Sequence, residues 1–108
     1  KINSNIIEKL KKYNSEKDFI FTTVNPKDPS FEEKRYWRGP IWINTNWIIY
    51  QGLKNKDKDF AIYLKNKTLK LLEERKFYEY YNHKNSECLG ANNFSWSAAL
   101  YLDLKLND

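Results

Sequence analysis

At 108 residues the chain is long enough for one small domain and too short for two. Its hydrophobic fraction of 41% and aromatic fraction of 17% exclude a disordered chain, and no apolar run reaches the roughly 20 residues of a membrane-spanning helix, so no membrane partner is expected. The net charge of +5 comes mainly from lysines scattered between Lys1 and Lys105 and mixed with acids in "EKLKKY", "KNKDKD" and "LEERK". A phosphate-tracking surface concentrates its charge, commonly as Arg, so the surplus reads as solvated surface and no nucleic-acid partner is expected.

In chain order, "SNIIEKLKKY" sets Ile6, Ile7 and Leu10 at i, i+1 and i+4 with lysines opposite, which predicts an amphipathic helix capped by Ser4 or Asn5. "FIFTTV", residues 19–24, is β-branched and aromatic and predicts a short strand, and "NPKDPS" with its two prolines predicts a loop. Gly39-Pro40 predicts a helix beginning at Pro40 or Ile41, since proline suits the first helical position, and ending near Gly52. Ile43, Trp47, Ile48 and Tyr50 spread apolar surface around that helix, so burial is expected over most of its circumference. "KNKDKD" is a polar turn in which Asp57 or Asp59 can cap the next helix. "FAIYLKNKTLKLLEERKF" is the clearest helix: Phe60, Leu64, Leu71 and Leu72 keep near-helical spacing and basic residues gather toward its C-terminal end. Residues 78–94 read as a loop, and "SWSAALYLDLKL" as a closing helix capped by Ser95. The result is three or four helices joined by long loops that carry the aromatic and carboxylate residues, and loops of about 15 residues are uncommon unless functional.

One cysteine, Cys88, and one histidine, His83, leave no internal disulfide framework and no metal-ligand set, so no metal or other cofactor is expected and both read as surface or loop residues. Nothing at the N-terminus reads as a signal peptide, and methionine is absent even from position 1, so the chain is expected to follow a cut or to belong to something longer.

The densest chemistry lies in "RYWRGPIWINTNW", residues 35–47. Sugar rings stack their C–H faces on aromatic planes and need donors and acceptors at fixed places. Tyr36, Trp37, Arg38, Trp42, Asn44 and Asn46 suit that task, and Gly39 would let backbone come close to a ligand. Equally, Trp42 and Trp47 can be core, with Arg38 paired to a carboxylate. A second constellation is "FYEYYN", residues 77–82, where Glu79 is flanked by four rings. Partial desolvation there disfavours the charged carboxylate and raises its pKa, while the hydroxyls of Tyr80 or Tyr81 can restore the charge by hydrogen bonding, a balance that suits a general base. The plainer alternative is a surface Glu in an aromatic loop. Glu87, in a glycine-containing loop, can orient neighbours, and Asp103 reads as a solvated or capping residue in mid-helix.

"YWRGPIWINTNWIIYQGL", "FYEYYN" and "ECLGANNFSWSAALYLDL" together resemble the C-terminal part of glycoside hydrolase family 63, in its bacterial α-glucosidase and mannosylglycerate or glucosylglycerate hydrolase branch, over about two-thirds of the chain. The resemblance implies an all-α fold: residues 1–108 as a C-terminal fragment of one (α/α)6-barrel catalytic domain, its last helices, incomplete as a stand-alone unit. It implies an inverting glycosidase acting on a glucoside or mannoside, with carbohydrate and the remainder of the barrel as partners and no cofactor. It carries the general base over to Glu79 and the sugar pocket to Tyr36, Trp37, Arg38, Gly39 and Trp42, with Asn93, Phe94 and Trp96 nearby. The general-acid Asp belongs to an earlier part of the barrel, and none of Asp18, Asp28, Asp57 or Asp59 has a matching context, so the fragment alone is expected to be inactive. Where relatives commonly read "GEGLG", Ser86 and Cys88 replace glycines in "SECLG", which stiffens that loop. The alternative is a non-catalytic carbohydrate-binding remnant that keeps the aromatics. "NKT" and "NFS" match the glycosylation pattern, but Asn93 lies in the implied pocket, which argues against secretion and for a cytoplasmic protein.

Overall fold

The computed structural model describes residues 4–15 and 20–107. They form four helices, α1 (Ser4–Ser15), α2 (Ile43–Leu53), α3 (Lys58–Arg75) and α4 (Ser95–Leu106), and two short strands, β1 (Tyr80–Tyr81) and β2 (Cys88–Leu89). Helices α2, α3 and α4 pack against one another in all three pairings. Between them lie Ile43, Leu53, Leu64, Leu72 and Leu104, each at most 1% exposed. At this depth each aliphatic side chain contributes about 1.5–3 kcal/mol of burial. Ile7 of α1 joins the same core.

Local chemistry explains the helix limits. Asp57 caps α3 by accepting from the Phe60 N–H at 3.1 Å and pairs with Lys11 of α1 at 2.5 Å, and both interactions lower its pKa, the Lys11 contact most. Helix α4 occupies the expected span, but its N-cap is the extended Phe94, and Ser95 is already helical. For α1, the side chain at the expected cap Ser4 lies outside the described residues, and Asn5 is inside the helix.

The start of α2 and its C-terminal cap differ from expectation. Helix α2 begins at Ile43, not at Pro40 or Ile41, because Ile41 is committed to backbone pairing and Trp42 is extended (φ −114°, ψ 138°). It ends at Leu53, near Gly52 as expected, but without a glycine cap: the C-cap Lys54 is right-handed (φ −59°), so no left-handed glycine is needed. As expected, α2 is buried or half-buried over most of its circumference, with Ile48 its one exposed residue, at 60%. Ile62 on α3 and Leu102 and Leu106 on α4 are likewise exposed.

The predicted strand at residues 19–24 is reduced, among the described residues, to one bridge between Thr22 and Ile41, and the loop at 78–94 contains the unpredicted β1–β2 hairpin. Thr22, Ile41, Tyr81 and Cys88 thereby form one antiparallel ribbon, with Ile41 and Tyr81 exchanging both backbone hydrogen bonds at 2.8 and 2.9 Å. Two-residue strands show no alternation that a sequence reading can detect. The Asn46 amide completes the ribbon's outer edge by pairing with both backbone groups of Phe21, at 2.9 and 2.8 Å. Asn46 is 1% exposed, and its Nδ2 also donates to the Trp42 carbonyl at 3.0 Å.

Asn46→Leu should leave two buried Phe21 backbone groups unpaired. At about 1–3 kcal/mol for each such group, the substitution should cost at least 2 kcal/mol, visible as a lowered urea midpoint with an unchanged slope.

Candidate functional site

The ribbon aligns two segments about 40 residues apart, so the aromatics before Ile41 and the residues before Tyr81 meet on one side. Trp42 is the centre of the cluster. Trp37 stacks on it with ring centroids 3.5 Å apart and Tyr80 at 5.2 Å, both near parallel. The Tyr36 ring stands near perpendicular to all three rings, and Phe94 near perpendicular to Trp42. Each such pair adds about 0.5–1.5 kcal/mol beyond area burial. Trp42 is consequently 2% exposed, with rings stacked on it, whereas Trp37 and Tyr36 keep 39% and 46% of their surface exposed.

Glu79 lies at the edge of this cluster, half-buried. Its Oε2 accepts from the Tyr36 hydroxyl at 3.1 Å, and its Oε1 accepts from the Ala91 N–H at 3.1 Å. The Glu79 N–H in turn donates to the Ala91 carbonyl at 2.9 Å. Donation to Glu79 raises the Tyr36 pKa, because ionising the phenol would end the bond and set two negative groups together. The expectation that Tyr80 or Tyr81 supplies this hydroxyl is corrected. The Tyr81 side chain is fully buried beneath the site, its hydroxyl donates to the Lys76 carbonyl at 2.5 Å, and burial pushes its pKa up to about 12.

Two glycines make the geometry possible. A Cβ on Gly39 would stand 2.0 Å from the Glu32 carbonyl oxygen, so the close backbone approach that Gly39 permits is to the chain itself. Gly90 is left-handed (φ 73°), and a Cβ there would stand 2.6 Å from Glu79 Oε1. Tyr36 also has positive φ (38°), a conformation sparsely allowed for a side chain of its size, and the Trp42 indole N–H holds it by donating to the Tyr36 carbonyl at 2.8 Å.

Arg38 is exposed and pairs at 3.5 Å with Glu32. Asn93 is exposed with a left-handed backbone (φ 53°), and Trp96, in the first turn of α4, is 47% exposed. Asn44 Oδ1 is buried without a hydrogen-bond partner among the described residues. Glu87 pairs with Lys34, and Asp103 accepts from the Trp47 indole at 2.7 Å. Sequence reasoning missed Glu33 and Asn82, which lock the segment before Tyr36 to the hairpin. Buried Asn82 donates to Glu33 at 2.8 Å, and Lys84 pairs with Glu33 at 3.0 Å. Among the described residues no three His, Cys, Asp or Glu side chains are grouped to hold a metal ion, and no helix is long and apolar enough to cross a membrane.

Residues 3–97 match the family model of the mannosylglycerate hydrolase MGH1-like glycoside hydrolase domain. The chain is 38% identical over 100 residues to a mannosylglycerate hydrolase of Thermus thermophilus, covering 90% of this chain and 24% of that protein. It is 40% identical over 77 residues to a mannosylglycerate hydrolase of Rubrobacter radiotolerans, covering 70% of this chain and 17% of that protein. A glucosylglycerate hydrolase of Mycolicibacterium hassiacum is 29% identical over 85 residues, covering 78% and 19%. Among solved structures, a glycoside hydrolase family 63 mannosylglycerate hydrolase of Thermus thermophilus in complex with Tris and D-glycerate superposes with a TM-score of 0.82 at 37% identity, over 90% of this chain and 24% of that one. A complex of that enzyme with glucose gives 0.80 at 35% identity, over 90% and 25%. The chain thus spans about a quarter or less of the length of these relatives, and its predominantly helical fold, as expected, is that of one stretch of a family 63 enzyme.

Gly39→Ala should force the Glu32 turn away and disperse the ring stack. Overpacking of this kind costs about 1–3 kcal/mol, and the near-UV circular dichroism of the stacked indoles should fall while the helical far-UV signal persists. The Glu33 lock should also be acid-sensitive. The hydrogen bond from Asn82, then that from Lys84, lower the Glu33 pKa from its ordinary 4.5. A carboxyl depressed in the folded state stabilises fully above its unfolded pKa and loses that contribution as pH falls through the folded value. The near-UV signal should therefore weaken below about pH 4, and Glu33→Gln should remove that part of the pH dependence.

Proposed function

We propose, from the premise that the chain belongs to the mannosylglycerate hydrolase MGH1-like glycoside hydrolase family, that residues 1–108 are the C-terminal part of a single (α/α)6-barrel catalytic domain that hydrolyses an α-linked glucoside or mannoside with inversion. The names of the relatives favour a hexosyl glycerate as substrate, and the bound glucose and D-glycerate in the Thermus thermophilus structures fit the two halves of such a molecule.

Glu79 is the general base. The observation that carries this reading is that its carboxylate, held by two donors, borders the exposed Tyr36 ring, against which the exposed Trp37 packs. An inverting hydrolase needs two carboxyl groups about 6.5–9.5 Å apart with a water between the base and the anomeric carbon. The Glu79 carboxylate takes a proton from that water, the water oxygen bonds to the anomeric carbon from the face opposite the leaving group, and the glycosidic bond breaks with its electron pair going to the leaving oxygen. The acid protonates that oxygen. Tyr36, Trp37 and Arg38 meet the sugar, Trp42 and Gly39 back them, and Asn93 and Trp96 close the pocket from the α4 side.

The acid comes from the remainder of the barrel, and the chain alone does not complete the reaction. Asp28 is folded into its own turn with Ser30, Asp57 caps α3 and Asp103 holds Trp47. The same remainder covers Ile48, Ile62, Leu102 and Leu106.

In the native polypeptide carrying these residues, Glu79→Gln should lower kcat on mannosylglycerate and glucosylglycerate by about 10²–10⁴-fold with an unchanged circular dichroism spectrum. The hexose first released by the unsubstituted protein should be the β-anomer by proton NMR. Full activity of the variant would remove Glu79 from the mechanism, and a protein that binds the sugar without cleaving it would be a binding remnant.

A further inference from the structure

We propose that the Glu79 carboxylate is held in its working orientation by a clamp from two loops, in which Tyr36, through its hydroxyl, and Gly90, through its lack of a side chain, are positioning residues. The proposal rests on the reading of Glu79 as general base and extends it to how that base is aimed.

The carboxylate has one free rotation about its last carbon–carbon bond, and each of its oxygens is fixed by a donor from a different loop. The Tyr36 hydroxyl meets Oε2 and the Ala91 amide meets Oε1, both at 3.1 Å. With one donor on each oxygen, a lone pair remains on each for the proton taken from water. The amide arm exists only because residue 90 has no Cβ. Any side chain there would fall 2.6 Å from Oε1 and 2.7 Å from the Glu79 Cβ, and φ of 73° lies in the left-handed region that favours glycine. The hydroxyl arm is also built at a cost, since Tyr36 keeps φ at 38°. Three contacts over-determine that conformation: the Trp42 indole N–H on the Tyr36 carbonyl, and the near-perpendicular seating of the Tyr36 ring against Trp42 at 4.9 Å and Tyr80 at 5.5 Å. A tyrosine needed only as a stacking face for sugar does not require its hydroxyl on the carboxylate.

The test is a comparison of Tyr36→Phe and Gly90→Ala with Glu79→Gln in the native polypeptide carrying these residues, reading kcat and KM separately. Tyr36→Phe keeps the ring and removes only the donor. The clamp predicts that both variants lose about tenfold to hundredfold in kcat, as misaimed catalytic groups do, with KM changed by less than about twofold. Near-UV circular dichroism checks that Tyr36→Phe keeps the ring stack. If Tyr36→Phe raises KM with kcat unchanged, the Tyr36 hydroxyl serves the substrate and not the carboxylate, and the clamp is overturned. Wild-type kcat in either folded variant also overturns it. An active Glu79→Gln would instead remove the underlying reading, so the two failures are told apart.

Discussion

The reciprocal backbone pair between Ile41 and Tyr81 is the constraint on which the site depends. Joining positions about 40 residues apart costs on the order of 3 kcal/mol of chain entropy, and two buried hydrogen bonds contribute a net of about 2 kcal/mol. The pair therefore forms only with the burial that accompanies it: Ile41 is 2% exposed, Tyr81 is fully buried, and Trp42 seals the stack immediately beyond. Once the pair is closed, Tyr36 and Glu79 have little freedom to be anywhere but together.

Much of what surrounds the carboxylate is structure before it is chemistry. Trp42 has the residue type of a sugar platform, yet Trp37 and Tyr80 stack against it, and its N–H is used to hold the Tyr36 backbone. Gly39 has the freedom to approach a ligand, yet it approaches the Glu32 carbonyl. The cluster is a pre-organised wall. Its interior rings are rigid because they are buried, and its outer members, Tyr36 and Trp37, remain exposed because nothing within the described residues covers them. Rigid support behind an exposed face lowers the ordering cost of binding.

The helices divide the labour differently. Buried leucines of α2, α3 and α4 make one continuous core, while Ile48, Ile62, Leu102 and Leu106 face outward from the same helices. Apolar surface on both sides of a helix suits an element packed between two layers. The match to only a quarter of family 63 structures accounts for that pattern if the rest of the barrel supplies the second layer.

The sequence by itself determined the spans of α3 and α4 within about two residues, the α3 cap as Asp57 or Asp59, and the family, because helical spacing, capping chemistry and long motifs are written in neighbouring residues. It also made Glu79 and the aromatic run conspicuous. It did not determine which hydroxyl reaches Glu79, that Asn46 is spent on Phe21, that α2 starts only after the Ile41 pairing, or that Gly90 must leave room for a carboxylate. Those are contacts between segments brought together only when the ribbon closes. No local pattern encodes them, since a hydrogen-bond partner across the fold is chosen by distance and angle and not by residue type.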